Sequence, residues 1–110
     1  MKGIDKIRDV GLRRAIHNTG HRSLDTIVEL DARNMGIEDL RGIEHLAHLR
    51  KLHLGRNRIS SMEPLGQLTN LTGLFLEKNK IRDVSVLGSM PQLPALDLSD
   101  NHIDDIPSFK

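Results

Sequence analysis

The sequence predicts an α/β repeat solenoid, a right-handed coil with a parallel concave sheet and short 3₁₀ or extended convex segments. The first observation behind this prediction is an internal period of 22 residues, because the apolar positions of residues 71–92 fall beneath those of residues 49–70. The second is the alternation of apolar and polar residues in segments such as 51–55 (KLHLG), which is typical of a strand with one buried face. Successive turns of one coil run in the same direction, so we expect their strands to form a single parallel sheet.

The repeat follows the pattern L-x-x-L-x-L-x-x-N-x-I. A fixed period of about 20 to 29 residues with this pattern is typical of leucine-rich repeats. One repeat cannot bury its own apolar face, so neighbouring repeats must stack. The predicted organisation is a small helical N-terminal cap at 1–26 and repeats over 27–110, divided into 27–48, 49–70, 71–92 and a partial repeat at 93–110.

An Asn follows the predicted strand in three repeats, at Asn57, Asn79 and Asn101. A buried Asn at this bend can satisfy backbone groups that have no ladder partner, so we interpret this column as structural. The first repeat has Met35 at the same position, as expected of a terminal repeat that packs against a cap. After the Asn, apolar residues recur every three positions, which favours a 3₁₀ or extended return path.

The first 26 residues are predicted to form the cap. Asp9 is a candidate N-cap residue for a short helix over 10–17, and Ser23 is a candidate cap for a second short turn. Such a cap shields the apolar end of the coil from water. The alternative interpretation is a basic helix that binds an acidic partner.

Composition indicates one small domain without cysteine chemistry. The 110 residues contain no Cys, which excludes a disulfide framework and a zinc site built on cysteine. Residues 1–26 contain no long apolar run, so neither a signal peptide nor a membrane span is visible. We therefore expect a cytoplasmic protein without a membrane partner, or a secreted or surface-attached one if a targeting segment has been removed.

The sequence contains no catalytic motif and no convincing metal site. It lacks G-x-S-x-G, P-loop, G-x-G-x-x-G and H-E-x-x-H patterns, so we expect neither enzymatic activity nor a cofactor. The repeat register places His45 and His48 on the return segment and His53 on the opposite, concave side. This separation disfavours a shared metal ion.

Nucleic acid is also disfavoured as a partner. Basic residues cluster in the second and third full repeats, but a binder of single strands needs stacking aromatic residues among them. Phe75 is the only aromatic residue available there.

The outward face of the concave sheet is the candidate binding surface for a protein or peptide. Phe75 is its most informative residue, because its register directs it to solvent among charged neighbours, as is typical of an interface anchor. The candidate partner-binding residues are Asp31, Arg33, Lys51, His53, Arg56, Phe75, Glu77, Lys78 and Asp97.

The end of the chain favours a second hypothesis, a self-assembling unit. Leu93, Leu96 and Leu98 belong to a final strand without a following repeat, and residues 104–110 are too few to form a cap. An unpaired strand edge over apolar residues is a template for another chain. We therefore predict a homodimer or filament through these three leucines, unless the chain is a fragment of a longer protein.

Segment 27–49 (IVELDARNMGIEDLRGIEHLAHL) resembles the first repeat of internalin-type leucine-rich-repeat proteins, in which a G-I-x-x-L-x-G-I-E-x-L run follows the first strand. Residues 7–9 and 12–16 resemble the helical cap of that family. The period of 22 with Ile at the eleventh position is also similar to the protein-phosphatase-regulator class of repeats. The resemblance implies protein recognition through the concave sheet, or alternatively a regulatory subunit of an enzyme such as a phosphatase.

Overall fold

The computed structural model describes residues 1–90 and 93–103, and its central element is a parallel sheet of four strands. The strands occur in chain order, so each strand pairs with that of the next repeat. Leu30 pairs with Leu52, which in turn pairs with Leu74, so the register equals the period of the sequence. The predicted solenoid and its parallel sheet are thus confirmed. The strand bounds are Glu29–Asp31 for β1, Lys51–His53 for β2, Gly73–Phe75 for β3 and Ala95–Asp97 for β4.

The core is a continuous apolar column that runs through the repeats. The strand leucines Leu30, Leu52 and Leu74 are fully buried, and so are Ile59 and Ile81 on the return side. Each of these side chains contacts the layers before and after it, because a single repeat has no apolar face to pack against within itself.

The Asn that follows each of the last three strands binds backbone groups of two adjacent repeats. The side-chain amide of Asn79 donates to the Leu54 carbonyl oxygen of the preceding repeat at 2.9 Å. Its Oδ1 accepts a hydrogen bond from the Ile59 N–H at 3.0 Å. Asn57 and Asn101 make the equivalent bonds, which confirms the structural interpretation of this column.

The return segments contain short 3₁₀ turns at Ile43–His45, Glu63–Gln67 and Ser85–Ser89, in agreement with the predicted path. Before each turn, one side chain accepts a hydrogen bond from the backbone N–H two residues further on. This recurring side-chain turn was not predicted. The acceptors are Asp39, Ser61 and Asp83, with distances of 2.9, 3.3 and 2.8 Å.

The N-terminal cap contains one α-helix, α1, at Val10–Asn18, between 3₁₀ turns at Ile4–Lys6 and Leu24–Thr26. The helix ends one residue later than predicted. Ser23 begins the second 3₁₀ turn as predicted, because its Oγ accepts the Asp25 N–H at 3.3 Å.

Asp9 joins this cap to the first repeat through both of its carboxylate oxygens. Its Oδ1 caps α1 as predicted, at 3.2 Å from the helix N–H. Its Oδ2 accepts hydrogen bonds from the N–H groups of Glu38 and Asp39, at 2.9 and 3.1 Å. Gly11 lies directly against the Met35 carbonyl oxygen, where a Cβ would clash. At Met35 the first repeat therefore packs against α1, whereas the later repeats pack against a preceding repeat.

At the other end, β4 has no further strand beside it among the described residues. Leu96 in this strand is 42% exposed, whereas its equivalents in the other strands are fully buried. The predicted ends of the third repeat, at 92, and of the partial repeat, at 110, lie outside the described residues. Over the described ranges, no helix has the length and apolarity that crossing a membrane requires.

Candidate functional site

The four strands direct their non-core side chains onto one outward face, where the register sets them side by side. The middle row consists of Asp31, His53, Phe75 and Asp97, each paired with the next across the sheet. The structure therefore brings together four of the predicted partner-binding residues. The flanking row at the start of the strands contains Glu29, Lys51, Gly73 and Ala95.

An aromatic stack occupies the centre of this face. The rings of His53 and Phe75 lie with centroids 4.9 Å apart and planes inclined by 9°. A Cβ at Gly73 would lie 3.2 Å from Cε2 of Phe75, so the ring extends over this glycine. Phe75 faces away from the core as predicted. The ring is half-buried because His53 covers one of its faces.

The other side of the stack is held by Glu29, a residue that was not predicted to belong to the site. Oε2 of Glu29 lies 3.2 Å from Nε2 of His53, whose side chain is only 25% exposed. Lys51, the neighbour of Glu29 in the flanking row, is exposed at the surface. The only sequence signal for this contact is the strand register. Glu29 pairs with Lys51, and His53 follows two residues later on the same face of the sheet, so the carboxylate lies diagonally opposite the imidazole.

Asp31 and Arg33 form a bidentate ion pair at the end of β1. The Arg33 Nε donates to Asp31 Oδ1 at 2.9 Å, and Nη2 donates to Oδ2 at 2.8 Å. These bonds lower the pKa of Asp31 from 3.8 to about 2. Two of the predicted site residues thus neutralise each other on the surface.

Glu77 leans across Gly55 toward the Arg33 side of the face. A Cβ at Gly55 would lie 2.5 to 2.7 Å from the carboxyl atoms of Glu77, so the glycine makes this position available. Among the described residues, the buried Oε1 of Glu77 has no hydrogen-bond partner. The pKa of Arg33 is raised first by the hydrogen bonds and charge of Asp31 and then by the charge of Glu77.

Asp97 closes the middle row on the β4 side. Its Oδ1 accepts hydrogen bonds from the Ser99 Oγ at 2.7 Å and the Ser99 N–H at 3.0 Å. These bonds lower the pKa of Asp97, so its negative charge persists beside Phe75 at neutral pH.

The turn after each strand contains a residue in the left-handed region of backbone conformation, which was not predicted from the sequence. Arg56 and Lys78 have φ values of 59° and 58°, and the equivalent residues of the outer repeats, Asn34 and Asp100, have 55° and 56°. The side chains of Arg56 and Lys78 are exposed along the rim of the face. Both predicted residues are therefore accessible to a partner, although they lie beside the sheet rather than on it.

The three predicted self-association residues surround β4. Leu96 is the most exposed of them, whereas Leu93 and Leu98 are half-buried and pack against the core. His45 and His48 are exposed on the return side. Within residues 1–90 and 93–103, no three His, Cys, Asp or Glu side chains are grouped as metal ligands.

Comparison with known proteins identifies the same type of repeat. A family model described as leucine rich repeat matches residues 47–103. The solved structure of InlF, an internalin from Listeria monocytogenes strain 4b F2365, superposes with a TM-score of 0.88 at 30% identity, covering 94% of this chain and 34% of that one. Internalin C2 of the same strain superposes with a TM-score of 0.86 at 31% identity, covering 94% of this chain and 51% of that one.

A third structure, the functional domain of InlJ from Listeria monocytogenes, gives a TM-score of 0.69 at 23% identity, which shows the fold alone. It covers 94% of this chain and 29% of that one, so the chain spans 29% to 51% of the three internalin chains. No curated protein matches the sequence significantly. The resemblance to internalins that the first repeat predicted is confirmed.

Proposed function

Since the chain belongs to the leucine-rich-repeat family, with an internalin-like solenoid, we propose that it is a non-enzymatic module that binds a protein or peptide on its concave face. Solenoids of this kind are protein-interaction modules that use their extended concave surfaces. Phe75 is the proposed anchor, and Lys51, Arg56 and Lys78 provide charge complementarity.

The stack of Phe75 on His53 carries this proposal. An aromatic side chain held in one orientation by a neighbouring ring loses little conformational entropy when a partner docks on it. This feature favours a partner that contributes an apolar group over the ring.

The size of the sheet limits the strength of this contact. Four strands about 4.8 Å apart give a face roughly 20 Å wide, and the outward residues of each strand give it roughly 12 Å of height. The footprint is therefore a few hundred Å², which is below the roughly 800 Å² per partner of a standard complex. A tightly bound partner therefore extends beyond the sheet onto the rim.

Selection of binding peptides tests the anchor and does not require the natural partner. A random peptide library displayed on phage is selected against the folded chain, and the affinities of selected peptides are measured by calorimetry. Loss of an aromatic anchor typically costs about 2 kcal/mol, so Phe75→Ala is expected to weaken binding at least tenfold. The matched control is Val10→Ala, which removes an apolar side chain that is 60% exposed on α1. Peptides that bind Phe75→Ala as tightly as the wild type would overturn the proposal.

A second candidate function, self-association, is favoured by the exposure of Leu96. Its side chain is 42% exposed in a position that is fully buried in the preceding three strands. We propose that a second copy covers this leucine together with Leu93 and Leu98. Light scattering over a hundredfold concentration range measures the mass, and Leu96→Lys is expected to convert an oligomer into a monomer. A wild-type chain that is monomeric throughout contradicts this candidate.

Two further predictions from the sequence remain proposals. The role of a regulatory subunit for an enzyme such as a phosphatase is tested by adding the chain to the candidate enzyme and measuring its rate. The cellular location, cytoplasmic or secreted and surface-attached, is tested by fractionation of cells that express the complete gene.

A further inference from the structure

Four basic side chains lie together at the turns that follow β2 and β3. Arg56 and Arg58 flank the buried Asn57, and Lys78 and Lys80 flank the buried Asn79 in the next repeat. All four are exposed. We call these four residues, Arg56, Arg58, Lys78 and Lys80, the basic rim.

Backbone hydrogen bonds hold the two halves of the basic rim in register. The Arg56 N–H donates to the Glu77 carbonyl oxygen at 2.9 Å, and the Lys80 N–H donates to the Ile59 carbonyl oxygen at 2.9 Å. The first bond joins Arg56 to Glu77, the residue before Lys78. The second joins Lys80 to Ile59, the residue after Arg58. The backbone of the four residues therefore forms two adjacent rows, with roughly the strand spacing of about 4.8 Å between repeats.

The charges of the basic rim are not compensated within the described residues. The three ion pairs there are Arg33–Asp31, Arg41–Asp39 and His53–Glu29, and none includes a residue of the basic rim. The carboxylate of Glu77, the nearest in sequence to Lys78, lies against Gly55 and forms no ion pair with the basic rim among the described residues. Asp100, at the rim position of the following repeat, bounds the cluster on the β4 side.

Two of these cations occupy a backbone conformation that their residue types disfavour. Arg56 and Lys78 have φ values of 59° and 58°, in a region where a Cβ crowds the backbone. The outer repeats have Asn34 and Asp100 at this position, and Asn and Asp tolerate the conformation better. Folding stability alone therefore favours Asn at both positions. An Arg or Lys held in this strained backbone conformation is a feature that occurs at functional sites.

We propose that the basic rim binds an acidic segment of the partner that docks on the concave face. This inference rests on the proposed function, because the rim adjoins that face and extends its area. Alternate side chains of an extended peptide lie about 7 Å apart on one side of the chain, whereas the two rows of the rim lie about 4.8 Å apart. Because Arg and Lys side chains are long and flexible, successive carboxylates can reach both rows. Single-stranded nucleic acid fits less well, because no aromatic side chain stands among the four cations.

The test uses a fluorescein-labelled peptide of eight glutamates, with binding followed by fluorescence anisotropy at low and physiological salt. Wild-type protein is expected to bind at low salt and to lose affinity as salt screens the charges. The double variant Arg56→Asn/Lys78→Asn is expected to lose at least about tenfold in affinity, whereas its melting temperature rises because the strained residues are replaced.

Two further double variants separate the charge of the rim from net charge and from strain. Arg58→Gln/Lys80→Gln is expected to lose a similar factor in affinity with an unchanged melting temperature. Lys2→Gln/Arg14→Gln removes the same charge from exposed positions of the N-terminal cap and is expected to retain the wild-type affinity within about twofold.

Each contrary outcome overturns the inference. These outcomes are absence of peptide binding at low salt, equal losses in the cap control, or tighter binding of a labelled oligothymidine than of the peptide. The proposed function fails separately. If Phe75→Ala leaves the selected peptides bound but the rim variants lose the glutamate peptide, the concave anchor is wrong and the basic rim stands. If the reverse holds, the concave anchor stands and the basic rim falls.

Discussion

The ring of Phe75 rests on the ring of His53, with centroids 4.9 Å apart and only 9° between their planes. The two residues belong to neighbouring strands and are direct partners in the parallel register. Because Gly73 leaves room beside the Phe75 ring and Glu29 contacts the His53 ring from the other side, the pair is fixed from both directions. The centre of the concave face is thus a preformed feature of the free protein.

A double-mutant cycle measures the coupling between these two rings. We expect His53→Ala and Phe75→Ala to destabilise the fold by amounts that are not additive, with a coupling energy of about 0.5–1.5 kcal/mol. Urea denaturation of the two single variants and the double variant gives this energy. Additive losses within experimental error would show that the stack contributes nothing beyond the burial of each ring.

The Asp31–Arg33 pair predicts a small dependence of stability on pH. The pKa of Asp31 in the folded chain, about 2, lies below its ordinary value of 3.8, so ionisation favours the folded state. The contribution is fully present above about pH 4 and is lost as the pH falls through about 2. Because both side chains are more than half exposed, we expect the pair to contribute less than about 1 kcal/mol.

Urea denaturation of wild-type protein and Asp31→Asn between pH 7 and pH 2 checks this expectation. The difference between the two proteins is expected to shrink below pH 4 and to vanish near pH 2. A difference that stays constant over this range contradicts the assignment of the effect to the ionised pair.

The asparagine column predicts a graded set of destabilised variants. Asn79 is 4% exposed, and Asn79→Ala leaves the Ile59 N–H without a partner, whereas the Leu54 and Leu76 carbonyl oxygens each keep one bond, from the amides of Asn57 and Asn101. We expect a loss of about 1–3 kcal/mol in the free energy of unfolding. Asn101 makes the same bonds but is half-buried, so water replaces them more readily and Asn101→Ala is expected to lose less. Chemical denaturation gives both values, and equal losses would contradict the role of burial.

Asp9 predicts a coupling between the cap and the first repeat. Asp9→Ala removes the acceptor for one helix N–H and for the N–H groups of Glu38 and Asp39. We expect a loss of about 1–2 kcal/mol, and Asp9→Asn, which keeps one acceptor oxygen, is expected to lose less. Hydrogen exchange at the Glu38 and Asp39 amides separates this effect from simple helix fraying, in which those amides would keep their protection.

The repeat register was predictable from the sequence, because a fixed period aligns all strands once two of them are aligned. Asp9 as N-cap and the Asn column followed from local chemistry that sequence displays directly. The contacts of Asp9 with Glu38 and Asp39 were not predictable, because they depend on how closely Gly11 allows α1 to approach the first repeat.

The details of the candidate site depend on side-chain direction, which the period does not determine. Phe75 was recognised as an outward residue, but its half-buried state arises from the His53 ring and the space over Gly73. Likewise, Arg56 and Lys78 gave no sequence signal of a left-handed backbone, since the conformation is imposed by the turn that the buried Asn residues hold.

Because of the direction of the asparagine hydrogen bonds, fraying of the solenoid can be followed through the amide hydrogen exchange of successive repeats. Each Asn accepts a hydrogen bond from an isoleucine N–H of the preceding repeat, namely Ile37, Ile59 and Ile81 in turn. Opening of one repeat therefore exposes an amide in the repeat before it. Unfolding that proceeds inward from the β4 end would release the Ile81 amide first, then that of Ile59, and that of Ile37 last. The order in which these three amides exchange with solvent gives the direction in which the coil opens.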